Sequence, residues 1–232
     1  MDCASTNDII TLRYNAIYEN FIYILKRANT AVEEMKVLYS DIEGIEVLTE
    51  LLNGTLTIYL KSIKINIILN TASNDIVMNL VKIIRDRYVR KTYTDIKVPD
   101  IALKINIDDI YINLLKYMES DGENIHICAV PASLPVKFQK CGFVQRLQHL
   151  LSSRMLLNTL HLYNNQELVI LSRGKSFKKR RIANYSLSYT YIPIERLRRA
   201  ILRDYEKYDE ISELTLKMNH AEFVFYFEKI NI

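Results

Sequence analysis

The chain has 232 residues, of which 49% are apolar and 25% charged, and its formal net charge is +4. This composition is typical of one or two globular domains, and it excludes a disordered chain, a collagen-like repeat and a small disulfide-linked scaffold. Only 5 glycines and 4 prolines are present, which indicates a chain rich in regular structure.

The first part of the chain is predicted to alternate strands with helices. A short apolar run predicts an opening strand, and apolar residues at helical spacing after it predict an amphipathic helix. Alternating patterns then predict strands around a polar turn. In chain order the predicted elements are a strand at 9–14, a helix at 15–31, strands at 35–39 and 45–48, a basic helix at about 73–91, a strand at 101–107, a helix at 108–119 and a strand at 124–128.

The remainder of the chain repeats this order of elements. Pro193 suits the first turn of a helix, because the N–H that proline lacks would be unpaired there. The predicted elements are a strand at 136–138, a helix at 141–154, strands at 160–163, 168–171 and 185–191, a helix at 193–208, and strands at 213–218 and 221–228.

Individual residues correspond between the two occurrences of this order of elements, here called the first and second pass. Tyr39 and Tyr163 occupy the same place and lie 124 residues apart, whereas Leu103 and Leu187 lie 84 residues apart. We therefore predict an internal duplication, with an α+β half at 1–130 and a second at 131–232. The first half would carry about 40 extra residues, including the helix at about 73–91.

This order of elements resembles the DNA sliding-clamp family, which includes proliferating cell nuclear antigen and the subunits of the checkpoint clamp. The resemblance covers nearly the whole chain and is clearest at 136–174 and 185–230. It implies a duplicated clamp-like α+β fold with sheets outside and helices on one concave face. It also implies a ring of three subunits, identical or not, around double-stranded DNA.

Two features depart from the replicative clamps of that family. The connector between the halves is at most the seven residues 129–135, where those clamps have a long segment that docks partner peptides. The basic helix at about 73–91 is also atypical. Both features favour a divergent checkpoint-type subunit, or a viral processivity or transcription factor.

A clamp must hold phosphates without reading bases, which requires Lys and Arg along the backbone of the DNA. The helix predicted at 193–208 fits this requirement best, since its basic residues fall at i, i+3, i+7 and i+11 beside an apolar stripe. The expected DNA-facing residues are Arg196, Arg199, Arg203 and Lys207, with Arg198 on the flank, and weaker candidates on other helices are Arg146, Arg154, Lys26, Arg27 and Lys116. The competing interpretation of each is an ordinary solvated face.

Net positive charge is concentrated in the second half of the chain. Residues 127–232 hold 17 Lys and Arg against 9 Asp and Glu, whereas residues 1–126 hold 14 against 18. Such an asymmetry is consistent with contact to a polyanion. The densest cluster is a predicted loop that contains Lys178, Lys179, Arg180 and Arg181. It fits DNA contact, a nuclear localisation patch or an ordinary surface loop.

No constellation of residues indicates an enzyme, a metal site or a cofactor. The 4 histidines are scattered, and Cys141 and His149 lie eight residues apart on one predicted helix, too far for a nucleophile and its base. The lone Gly174-Lys175-Ser176 lacks the upstream glycine of a phosphate-binding loop. We expect no catalytic residue and no cofactor.

The 3 cysteines are an odd number at no metal-binding spacing, which indicates reduced thiols in a cytosolic or nuclear protein. The resemblance to clamps implies the nucleus, or the cytoplasm for a viral protein. Residues 1–8 do not predict a secretory signal. The longest apolar runs, at 63–69 and 223–227, are too short to span a membrane. We therefore expect no membrane partner.

The leading hypothesis is a non-enzymatic clamp-like subunit that helps to encircle duplex DNA and recruits repair, checkpoint or replication factors. The alternative is a transcription or assembly factor of the same fold that acts as an interaction module without encircling DNA. A third interpretation is a single-strand binder whose Tyr185, Tyr189 and Tyr191 stack on bases. Tyrosine is equally a favoured strand residue.

Overall fold

The computed structural model describes the following residues: 9–11, 19–28, 31–50, 53–70, 74–88, 109–120, 126–129, 134–136, 154–156, 159–164, 166–173, 177–179, 186–206, 208 and 210–229. This part of the chain is mostly β-sheet.

The strands are β1 Ile9–Thr11, β2 Phe21–Ala28, β3 Ala31–Leu38, β4 Ile42–Thr49, β5 Asn53–Leu60, β6 Lys64–Asn70, β7 His126–Ala129, β8 Leu134–Val136, β9 Arg154–Leu156, β10 Thr159–Tyr163, β11 Glu167–Ser172, β12 Phe177–Lys179, β13 Leu187–Pro193, β14 Arg199–Asp204, β15 Ile211–Lys217 and β16 Glu222–Glu228. The helices are α1 Asn74–Tyr88 and α2 Asp109–Ser120, and single 3-10 turns lie at Tyr39–Asp41 and Ile194–Arg196.

A seven-stranded antiparallel sheet organises the molecule, in the order β6-β5-β4-β13-β11-β10-β7. At its centre β4 pairs with β13, so that Val47 lies opposite Tyr189. Because β4 comes from the first half of the chain and β13 from the second, the two halves contribute to one sheet.

One face of this sheet is covered by α1, α2 and the β2–β3 hairpin. Alternate residues of the strands, such as Val47, Ile58 and Val169, point into this core. Helix α1 contributes Val81 and Ile84, which belong to an apolar stripe at the helical repeat. The burial of this stripe fixes α1 on the sheet.

The opposite face is covered by a three-stranded antiparallel sheet, in the order β14-β15-β16. Leu216 and Phe223 of this small sheet pack against Ile170 and Ile192 of the large one. The approach is close at Gly44 of β4, where an added Cβ would lie 2.8 Å from the ring of Phe223. Glycine therefore permits the contact between the two sheets.

A buried carboxylate joins the same two layers. Glu43 is fully buried on β4, and its Oε2 accepts hydrogen bonds from the backbone N–H groups of His220 and Ala221, at 3.0 and 2.7 Å. Those two residues form the turn between β15 and β16. The carboxylate thus fixes this turn against the large sheet.

Two smaller sheets complete the described structure, in the orders β1-β2-β3 and β12-β9-β8. Leu156 of β9 is fully buried in a cluster with Tyr208 and Ile211. This cluster places β9 beside the start of β15.

The predicted duplicated α+β fold, with helices on one concave face, is wrong. The segment 15–31, predicted to be a helix, contains strand β2 and, at its end, the start of β3. Ile22 and Ile24 are both 2% exposed and lie two residues apart, which is the strand repeat. Phe21, Ile24 and Leu25 also satisfy helical spacing, and an apolar run this dense fits both patterns.

The helix predicted at 193–208 is wrong as well. Pro193 ends β13, one 3-10 turn follows, and β14 then pairs with β15 from Arg199 opposite Lys217 to Asp204 opposite Ser212. The apolar stripe that suggested a helix is overridden by pairing with a strand that lies further along the chain. Local periodicity does not report pairing between strands.

Two helices lie where helices were predicted. Helix α1 falls within 73–91, and α2 corresponds to the helix predicted at 108–119. The place equivalent to α2 in the second pass is occupied by β14, so the two passes differ there. The predicted helix at 141–154 lies outside the described residues except for Arg154, which begins β9, and the predicted strand at 101–107 lies outside them. The division into halves at residue 130 stays a prediction.

Candidate functional site

Strand β14 forms an edge of the small sheet, since among the described strands it pairs only with β15. All six of its residues are exposed or half-exposed. Hydrogen bonds alternate along an antiparallel strand, and the backbone N–H of Tyr205 donates to the carbonyl of Ile211 at 2.9 Å. This alternation directs the N–H and C=O groups of Ala200, Leu202 and Asp204 away from β15.

The side chains of β14 present two different faces. On the inner face, which continues the face that covers the large sheet, Leu202 lies opposite Leu214 and Ala200 opposite Leu216. Leu202 is nevertheless 60% exposed. On the outer face lie Arg199, Ile201 and Arg203. The edge therefore offers an apolar side chain on one face and cations on the other.

One of these cations is held by an acid. The guanidinium of Arg203 donates to Oε1 of Glu213, whose side chain is only 6% exposed, with an N–O distance of 2.5 Å. This hydrogen bond to Glu213 and the charge of its carboxylate raise the pKa of Arg203. The side chain of Arg203 is still 66% exposed, so its remaining N–H donors face solvent.

The other end of the strand has a surplus of positive charge. Arg199 is exposed, and no ion pair or hydrogen bond of its side chain occurs within the described part of the chain. It lies opposite Lys217, whose Nζ is 3.0 Å from Oε2 of Glu222. Arg198 is also exposed, and its Nε donates to the side chain of Asn219 at 3.0 Å. Of these three cations, Lys217 alone is paired with a carboxylate within the described residues.

Arg196 does not belong to this edge. It lies in the 3-10 turn, and its guanidinium is 3.2 Å from a carboxylate oxygen of Glu195. The predicted basic stripe of Arg196, Arg199 and Arg203 therefore does not exist as a helix face. The structure keeps Arg199 and Arg203 together on one face of a strand, and Lys207 lies outside the described residues.

The weaker DNA-binding candidates are dispersed. Lys116 is exposed on α2, on the far side of the large sheet from β14. Lys26 and Arg27 lie on β2, and the backbone register sets Lys26 opposite Glu33. Arg146 lies outside the described residues.

Part of the predicted basic loop is a strand. Lys178 and Lys179 lie in β12, which pairs with β9 so that Lys179 is opposite Arg154. The register brings together two basic residues that lie 25 positions apart in sequence. Arg180 and Arg181 lie outside the described residues.

The tyrosines proposed to stack on bases face the helices instead. Tyr191 is 2% exposed and Tyr189 packs against the same core. Their rings are stacked, with centroids 6.4 Å apart, beneath α1 and α2. Tyr185 lies outside the described residues.

A cavity of about 290 Å³ lies between α1, α2 and β13. At its base the guanidinium of Arg85 lies 4.1 Å from the ring centroid of Tyr191 and pairs with Glu167 of β11, at 2.6 Å. The hydroxyl of Tyr88 also donates to Glu167, and burial raises the pKa of Tyr88 well above its ordinary value. The phenol is thereby kept neutral as a donor, and the ion pair ties α1 to β11.

Sequence reasoning missed Leu202 and the Arg85–Glu167 pair. The run Ala200-Ile201-Leu202 was an available signal for the first, because it is apolar on both faces of a strand. Arg85 and Glu167 lie 82 residues apart, and no local pattern connects them.

Searches against protein-family models, curated proteins and solved structures give no match. Within the described residues no group of three or more His, Cys, Asp and Glu side chains could hold a metal ion. In the same residues no helix is both long enough and apolar enough to cross a membrane.

Proposed function

We propose that the chain is a non-enzymatic interaction subunit that binds an extended segment of another protein by strand addition at β14. The observation that carries this proposal is the exposed edge of β14, with outward N–H and C=O groups and Leu202 60% exposed. An added strand satisfies such backbone groups and covers the apolar side chain.

A second edge strand serves as a comparison. Strand β6 is an edge of the large sheet, and its Ile68 is 60% exposed, as Leu202 is. However, β6 buries Ile65 and Ile67, and β1 lies against it. β14 buries none of its residues and is the more available of the two edges.

The charges on β14 explain how such an edge avoids indiscriminate pairing. Arg199, Arg203 and Asp204 are exposed on a strand of six residues. Charged side chains on an edge disfavour association with unrelated strands. An exposed leucine flanked by charges is therefore consistent with a selected partner.

Site-specific photo-crosslinking in the cells that express the protein tests this proposal. A photoreactive phenylalanine analogue replaces Leu202 in one version and Ile68 in the matched control. We expect a discrete crosslinked protein from position 202 and a different or absent product from position 68. Identical products at both positions, or none at 202, would contradict strand addition at β14.

DNA association is the second candidate function. It is supported by Arg198, Arg199 and Lys217, which are exposed neighbours of which Lys217 alone pairs with a carboxylate, Glu222, within the described residues. Phosphate contacts of this kind bind without sequence preference and weaken as salt rises. Membership of the sliding-clamp family and encirclement of DNA stay predictions.

Retention on a duplex-DNA column tests this candidate. Changing Arg198, Arg199 and Lys217 together to Gln should lower the salt concentration at which the protein elutes and reduce the slope of the salt dependence by about 3. Lys36→Gln is the control, since Lys36 is an exposed lysine on β3 and is not among the predicted DNA-binding residues. Unchanged elution of the triple variant would exclude a phosphate role for this cluster.

A further inference from the structure

The composition of the strand that β14 accepts can be derived from the two faces of the edge. In a continuous sheet, side chains on directly opposite residues point to the same face. A strand beside β14 therefore meets Arg199, Ile201 and Arg203 on the outer face. On the inner face it meets Ala200 and Leu202.

The outer face requires negative charge in the partner. Arg199 has no carboxylate partner within the described residues, and its cross-strand neighbour Lys217 is also a cation. Arg203 shares Glu213 but keeps solvent-facing donors. An acid opposite Arg199 relieves like-charge repulsion, and a second acid opposite Arg203 completes its hydrogen bonding.

The inner face requires apolar side chains. Leu202 is 60% exposed. The residues of β15 opposite Leu202 and Ala200 are Leu214 and Leu216, which already pack against the large sheet. A partner side chain opposite Leu202 extends this apolar surface by one more strand.

We infer, on the basis of the proposed function, that the partner of β14 is a strand of a different protein that alternates acidic and apolar side chains. Its acids lie four residues apart, since Arg199 and Arg203 are four apart, and apolar residues occupy the second and fourth positions of this five-residue segment. The pattern of the paired segment is thus acid, apolar, any residue, apolar, acid.

A second copy of the chain fits this edge less well. Two β14 strands that pair about a two-fold axis at Ile201 or Leu202, the centre of the strand, set Arg199 opposite Arg203 or Tyr205 of the other copy, respectively. Neither arrangement supplies an acid. The acids on the outer face of β16, Glu222 and Glu228, are six residues apart, and Glu222 is already paired with Lys217.

The test uses three designed nine-residue peptides that share the apolar positions and carry Glu, Gln or Lys at the two outer positions. Dissociation constants are measured by fluorescence anisotropy for the full chain at low and at physiological salt. We expect the Glu peptide to bind at least tenfold more tightly than the Lys peptide. Arg199→Glu should reverse this order, whereas Lys116→Glu, an equal change of net charge on α2, should preserve it.

Equal affinities for the three peptides, or an order that Arg199→Glu leaves unchanged, would overturn the acidic preference. Self-association of the chain that Arg199→Glu abolishes, measured by sedimentation, would assign the edge to a second copy and overturn it too.

A fourth peptide separates this inference from strand addition itself. It keeps the Glu side chains and carries N-methyl groups on the amides that would pair with β14, which leaves the protein unaltered. Loss of binding on methylation together with equal affinities for Glu and Lys peptides would retain strand addition and reject the acidic partner. Unchanged binding of the methylated peptide would reject strand addition, and with it the whole proposal.

Discussion

Arg203 of β14 lies directly opposite Glu213 of β15, and its guanidinium donates two hydrogen bonds to one oxygen of that buried carboxylate. The pair links an exposed edge strand to the centre of the small sheet. Arg203, which was predicted from the sequence to contact DNA phosphate, is thus paired with an acid of its own chain.

Removing this cation should destabilise the protein. Arg203→Leu leaves the carboxylate of Glu213 without its guanidinium partner, so the midpoint of urea unfolding should fall. Arg199→Leu, on the same face of the same strand, removes no such contact and should shift the midpoint much less. Equal effects of the two changes would show that the Arg203–Glu213 contact contributes nothing to stability.

The ion pair between Arg85 of α1 and Glu167 of β11 should contribute more to the free energy of unfolding than the Arg203–Glu213 pair does. Arg85→Met leaves Glu167, 2% exposed, as a buried uncompensated charge and should cost about 3–5 kcal/mol in the free energy of unfolding. The double change Arg85→Met with Glu167→Leu removes both charges and should recover most of that loss. Urea unfolding of the single and double variants measures both quantities, and a double variant no more stable than Arg85→Met would contradict the role of the pair.

The close contact between Gly44 and Phe223 predicts that a substitution of Phe223 reduces the cost of a substitution at Gly44. Gly44→Ala places a methyl group 2.8 Å from the ring of Phe223 and should destabilise the protein by about 1–3 kcal/mol. In a Phe223→Leu background the same substitution should cost less, because the ring has been removed. A double-mutant cycle by thermal unfolding detects the coupling, and additive effects would mean that the two positions do not touch.

His161 should make stability depend on pH. Burial lowers the pKa of His161 from 6.5 to about 4, so between these values the unfolded chain binds a proton that the native state does not. Stability should therefore fall as pH decreases from 6.5 to 4, by about 3 kcal/mol at most. His161→Gln should flatten this part of the curve in urea titrations at successive pH values. A slope identical to that of the unmodified chain would assign the pH dependence to other groups.

Regular local patterns predicted much of the structure. The short apolar run at 168–171 and the strand predicted at 221–228 correspond to β11 and β16, and the helical stripe through Leu80 and Ile84 corresponds to α1. At these places the local pattern and the observed element agree.

Other regions could not be predicted because the strands that pair with them decide their structure. The segment 193–208 has an apolar stripe compatible with a helix, but β15 pairs with it and makes it a strand. The pairing of Val47 with Tyr189 joins residues 142 positions apart and organises the large sheet. Local periodicity reports neither interaction, and the helix predicted at 193–208 is wrong for this reason.

The candidate site was predicted only in part. The sequence shows directly that Arg198, Arg199 and Arg203 are basic, but which side chains share a face with them depends on the secondary structure of this segment. In a helix they would form a stripe of cations. In β14, Arg199 and Arg203 lie on the face opposite to Ala200 and Leu202, and that arrangement changes the expected partner from a phosphate backbone to a protein strand.

Backbone amide exchange, measured residue by residue by NMR with and without the acidic peptide, tests strand addition most directly. We predict that the outward amides of Ala200, Leu202 and Asp204 exchange at least tenfold more slowly when the peptide is bound, while those of Ile201 and Arg203, which face β15, change little. Unchanged exchange at these three outward amides in the saturated complex would contradict the account.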